Sequence, residues 1–120
     1  LELPEKKGGC EVKLIIAVVQ DQDAGRLLEK LLAAGHRATR LATTGGFLRQ
    51  GNTTLLIGME DEKVEDVLKI IEETCRSRTQ VVTPWVPLGG SVDSYVPYPV
   101  EVAVGGATVF VLSVEDFRKL

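Results

Sequence analysis

Val12-Lys13-Leu14-Ile15-Ile16-Ala17-Val18-Val19 is a short run of mostly apolar, β-branched residues. A stretch of that length and composition suits a strand buried on both faces, at the centre of a sheet. Downstream, Gln20 to Asp23 offers polar groups for a helix start, and Leu27, Leu28, Leu31 and Leu32 recur at helical spacing until Gly35, a natural stop past a helix end. His36 to Ala42 alternates polar and apolar positions and predicts a second strand; Thr43 to Asn52, rich in glycine, threonine and asparagine, predicts a loop; Thr53 to Met59 predicts a third strand. Asp61 is the expected N-cap of a second helix, with Glu62 and Glu65 in its first turn and an apolar stripe of Val64, Val67, Leu68, Ile71 and Cys75.

Thr79 to Tyr98 contains Pro84, Pro87, Pro97, Gly89 and Gly90 and reads as irregular chain, a length that in a compact domain usually serves function. Val100 to Val104 and Thr108 to Val114 predict two more strands, joined by Gly105 and Gly106 as a hairpin. This order predicts an α+β domain of ferredoxin-like βαββαβ type with an extra strand: one antiparallel sheet covered on one face by two helices. The other face would still carry apolar residues from the central strands, and copies of the same chain are the simplest cover.

A chain of 120 residues with 44% hydrophobic and 26% charged residues has the composition of one globular domain in water. Twelve glycines outnumber the six Phe, Trp and Tyr residues, so the core must rest on Val, Leu, Ile and Ala. A domain this small buries only about 60–70% of its unfolded surface, which adds to the case for self-association. The net charge of −3 argues against a general DNA or anionic-membrane binder, so no DNA, RNA or membrane partner is expected. It hides an acid-free stretch from Lys30 to Met59 in which Lys30, Arg37, Arg40 and Arg49 are all cationic, the place to seek an anion. Cys10, Cys75 and the single His36 form no metal-binding pattern, and two reduced thiols are expected. Residues 1–11 read as a flexible leader, and the absence of a signal-like or membrane-spanning run makes the cytoplasm the expected location.

Chemistry concentrates in Arg37 to Thr54. Threonine hydroxyls and Asn52 suit a base edge, Gly45 and Gly46 allow main-chain N–H groups to approach an anion, and Phe47 is placed to stack on a base. The same features also fit a plain turn, a hydrophobic loop anchor and solvated strand-end charges. Enzyme readings have less support. There is no Walker sequence, His36 reads as structural, and Asp21, Asp23, Glu60, Asp61 and Glu62 read as helix-capping groups. The third strand, TTLLIGM, lacks the aromatics of an RNA-reading sheet.

Four longer strings, IIAVVQDQD (Ile15 to Asp23), RATRLATTGGFLRQGNTT (Arg37 to Thr54), DSYVPYPVEV (Asp93 to Val102) and GGATVFVL (Gly105 to Leu112), resemble the PII-like cyclic di-AMP receptor proteins of Gram-positive bacteria. The resemblance runs from about Val12 to Phe117. It implies a PII-like domain over residues 12–120, a homotrimer, and cyclic di-AMP held in clefts between neighbouring subunits. Residues 43–52 would be the T-loop and 79–98 an enlarged B-loop. Arg37 and Thr39 would face the nucleotide from the second strand; Gly45, Gly46, Phe47 and Leu48 would line it from the loop; Asn52 would recognise an adenine edge. Gly58 would leave room on the third strand, and Phe110 would add an apolar wall from the adjoining subunit. The implied function is a non-enzymatic receptor without metal or cofactor that signals to a downstream protein by reordering its loops. The chain departs from the family pattern in its long leader, in Trp85 and in the ending Arg118-Lys119-Leu120. Two alternatives are a PII-like trimer that binds a partner protein directly, with another small ligand or none, and a phosphate-handling hydrolase gripping substrate with Arg37 and Asn52, for which the sequence offers no general base.

Overall fold

The computed structural model describes residues 3–4, 11–41, 51–82, 85–87, 95–97 and 99–120. The elements run β1 (Val12–Gln20), α1 (Asp21–Ala33), β2 (Ala38–Leu41), β3 (Asn52–Glu60), a single 3-10 turn (Asp61–Lys63), α2 (Val64–Cys75), β4 (Arg78–Val82), β5 (Trp85–Pro87), β6 (Tyr95–Pro97), β7 (Val100–Val104) and β8 (Ala107–Ser113). Four strands form an antiparallel sheet in the order β2-β3-β1-β8, so the apolar run Val12 to Val19 is indeed central.

Alternation along the strands decides which side chains meet the helices. Ile15 and Ala17 of β1 lie opposite Ile57 and Leu55 of β3, and all four are fully buried. They pack with Ala24, Leu27 and Leu31 of α1 and Val67, Ile71 and Cys75 of α2 in a single core. Fully burying a side chain such as Leu27 contributes roughly 1.5–3 kcal/mol, so this cluster is the main source of protomer stability. Leu32, by contrast, points outward from α1 and is 68% exposed. The other sheet face presents Leu14, Ile16 and Val18 of β1, Leu56 of β3 and Phe110 and Leu112 of β8, and among the described residues no helix covers it.

The helix starts differ from the expectation. No side chain caps either helix. Asp21 instead begins α1 and accepts a hydrogen bond from the Thr53 hydroxyl. Asp23 is buried in the first turn and binds the Arg78 guanidinium at 2.9 Å, with Arg26 at 3.7 Å. Asp61 and Glu62 form the 3-10 turn ahead of α2, and Glu60 ends β3. Arg78 is held above its ordinary pKa chiefly by its hydrogen bond with Asp23.

Two further expectations fail. The stretch 79–98 is not simply irregular, because it contains most of β4 and all of β5 and β6. The glycine pair also does not close a hairpin: β7 pairs with β4 (Gln80 opposite Val102), whereas β8 pairs with β1 (Phe110 opposite Ile16). Gly105 and Gly106, with φ of 82° and 88°, form instead the corner where the chain leaves the β4–β7 ribbon for the main sheet. The Gly105 N–H donates to Gln20 Oε1 at 2.7 Å and the Gly106 N–H to the Cys75 carbonyl. A Cβ on Gly105 would collide with the Arg76 carbonyl oxygen, so backbone conformation and space both require glycine there. Beyond that corner every residue of β4 is exposed, although a two-stranded ribbon is marginal alone in water.

Candidate functional site

The end of α1 sets the position of the first candidate residue. Gly35 adopts φ 87°, its N–H donates to Leu32 O at 3.0 Å, and the His36 N–H donates to Leu31 O at 2.8 Å. This paired left-handed stop turns the chain sharply into β2. His36 is buried, and its Nε2 lies 3.0 Å from Asp66 Oδ2 on α2, which ties the turn to the second helix. Arg37, the next residue, is exposed at the start of the sheet edge.

Thr39, half-buried in β2, lies opposite Leu56 of β3. Continued by two residues, the same register sets Arg37 beside Gly58, and both line one cavity of about 460 Å³. Arg37, Thr39 and Gly58 are therefore brought together on the β2–β3 margin. Asn52 is on the same face of β3 but six residues from Gly58, roughly 20 Å along an extended strand. Phe110 lies on β8, three strand spacings from β2 or roughly 14 Å, and is 53% exposed. Within one protomer these residues mark separate stations on the open sheet face, not one enclosed pocket. Gly45, Gly46, Phe47 and Leu48 lie outside the described residues.

Two features were not singled out from sequence. The hydroxyl of Thr54 is buried with no hydrogen-bond partner among the described residues, on the same face as Asn52 and Leu56. Its place in a Thr-Thr pair beside Asn52 was the available signal. The His36–Asp66 link spans thirty residues and has no local sequence signature. Burial, with a smaller contribution from Asp23, pushes the Cys75 thiol up to about 11, so it is an inert core group and not a nucleophile. Among the described residues no group of His, Cys, Asp and Glu is arranged to hold a metal ion, and no helix is long and apolar enough to cross a membrane.

The sheet order β2-β3-β1-β8, with two helices on one face, is a ferredoxin-like fold shared with PII. A crystal structure of Arabidopsis thaliana PII bound to citrate matches with a TM-score of 0.54, covering 92% of this chain and 81% of that one. At 18% identity it establishes the shared fold alone. The chain belongs to the cyclic-di-AMP receptor family, whose sequence profile matches residues 12–120. It is also similar to a functionally unknown protein of Pediococcus pentosaceus, at 44% identity and a TM-score of 0.72 over 92% of this chain and 98% of that one.

Proposed function

We propose that this protein is a cytoplasmic cyclic di-AMP receptor that assembles as a homotrimer, binds the nucleotide between subunits and signals by reordering its loops. The family match carries the reading. Two structural observations support it: the open apolar sheet face, and the position of Phe110 on β8, three strand spacings from the margin where Arg37, Thr39 and Gly58 meet. In the proposed site Arg37 pairs with a phosphodiester, Thr39 and Asn52 hydrogen-bond the adenines, and Gly58 leaves room for a ring against β3. Phe110 reaches the cleft from the adjoining subunit. Phe47 stacks on a base, while Gly45, Gly46 and Leu48 line the ligand from the loop.

The protein acts by shape and not by turnover. Nucleotide reorders the loops at 43–52 and 79–98, and a downstream protein reads the changed surface. Residues 12–120 form the receptor domain. Stacking one base on an aromatic ring is worth about 1–3 kcal/mol, so Phe47→Ala should weaken cyclic di-AMP binding by at least about tenfold in calorimetry. An unchanged affinity would remove Phe47 from the site.

A further inference from the structure

The cavity beside Arg37 and Gly58 has a wall that the receptor domain itself does not supply. Leu3 and Pro4, both half-buried, line it together with Arg37, Gly58 and Lys63. These two residues precede the segment matched by the family, which begins at residue 12. With them in place the cavity still holds about 460 Å³, within the roughly 300–1,000 Å³ of small-molecule sites, so they bound the space and do not fill it.

We infer that Leu3 and Pro4 form a nucleotide-contacting wall of the receptor site, packing against a purine ring whose phosphodiester is drawn to Arg37 and Lys63. This rests on the proposed function above. A purine needs a flat apolar surface for its faces and polar groups at its edge, and its phosphate needs cations. Leu3, Pro4 and Met59 supply the first, and Arg37 and Lys63 the last. The carboxylates in the same cavity, Glu60 and Asp66, make it a poor site for a bare anion and suit the exocyclic amine of adenine, a hydrogen-bond donor. The Asp66 carboxylate is already oriented by His36, which leaves its second oxygen as the acceptor for that amine.

Calorimetry with cyclic di-AMP on the intact chain and on the full-length variants Leu3→Ser and Pro4→Ser tests the inference. Leu120→Ser serves as control, because Leu120 is fully exposed at the other end of the chain. Losing a half-buried leucine contact should weaken binding roughly five- to tenfold for Leu3→Ser, with a smaller loss for Pro4→Ser and none for Leu120→Ser. Unchanged or tighter binding by both leader variants, while the intact chain binds, would overturn the inference alone. No heat from a folded intact chain would overturn the receptor reading and this inference with it.

Discussion

On the helix-covered face of the main sheet Ile15, Leu55 and Ile57 are fully buried, whereas on the opposite face Phe110 and Leu112 remain 53% and 45% exposed. Along the central strand β1 both faces are built from the same kinds of residue, so there the difference is one of cover and not of composition. An antiparallel sheet that meets water on one side normally places polar residues there. Here β1 alternates Ile15, Ala17 and Val19 on one side with Leu14, Ile16 and Val18 on the other. The protomer therefore covers one face itself and leaves the other open, the face that the proposed trimer would cover and along which the proposed ligand clefts would lie.

Breaking the open face should have the largest effect on the particle. A charge at Phe110 (Phe110→Asp) is expected to convert a species near 39 kDa, three times the 13.0 kDa protomer, into monomer by light scattering, while the helical signal in circular dichroism persists. A trimer that tolerates this charge would mean that the open face is covered by something else. On the covered face the effect is on folding: Leu27→Ala removes a fully buried side chain and should cost about 2–5 kcal/mol in urea unfolding. A loss below about 1 kcal/mol would contradict the core assignment.

The covered face also has a pH dependence. Because burial raises the folded-state pKa of Cys75 to about 11, the unfolded chain gives up this proton first, near the ordinary thiol value of about 8.5. The stability due to the neutral thiol is therefore complete below about pH 8.5 and is lost as pH rises through about 11. The advantage of the native chain over Cys75→Ala in chemical denaturation should shrink between pH 8 and pH 10.5; a constant gap would contradict the assignment. The smallest effect is expected at Leu32, which is more exposed than Phe110 but lies on the outer side of α1. Leu32→Ser should change stability by no more than about 0.5 kcal/mol and leave the assembly mass unchanged. Exposure alone would then be shown not to mark the interface; position on the sheet does.

The sequence was most legible where structure follows from local periodicity. The spacing of Leu27 and Leu31 and the stripe through Val67, Ile71 and Cys75 correspond to buried faces, and the apolar run of β1 marks the central strand, although only one of the two faces expected to be buried is covered within the protomer. It was least legible where partners are distant. Gly105-Gly106 between two β-branched runs carries a local hairpin signal, yet β7 finds its partner in β4, whose RTQVV sequence precedes a proline-rich stretch that reads as loop. Asp23 has the position and residue type of a cap, but its buried carboxylate pairs with the exposed guanidinium of Arg78, fifty-five residues away. The candidate site is split in the same way. The string Arg37 to Thr54 was conspicuous, whereas the buried Thr54 hydroxyl and the His36–Asp66 tie emerge only once the strands are aligned.

The central claim is that the nucleotide site exists only between subunits. Titrating cyclic di-AMP into the native chain and into a Leu112→Asp monomer, whose substituted residue lies on the open face but outside the proposed site, with heat and particle mass followed together, tests it most directly. The account predicts saturation at three nucleotides per 39 kDa particle, no comparable heat with cyclic di-GMP or ATP, and binding lost with the trimer. Full-affinity binding by a folded 13.0 kDa monomer, or no binding by a folded native trimer, would contradict it.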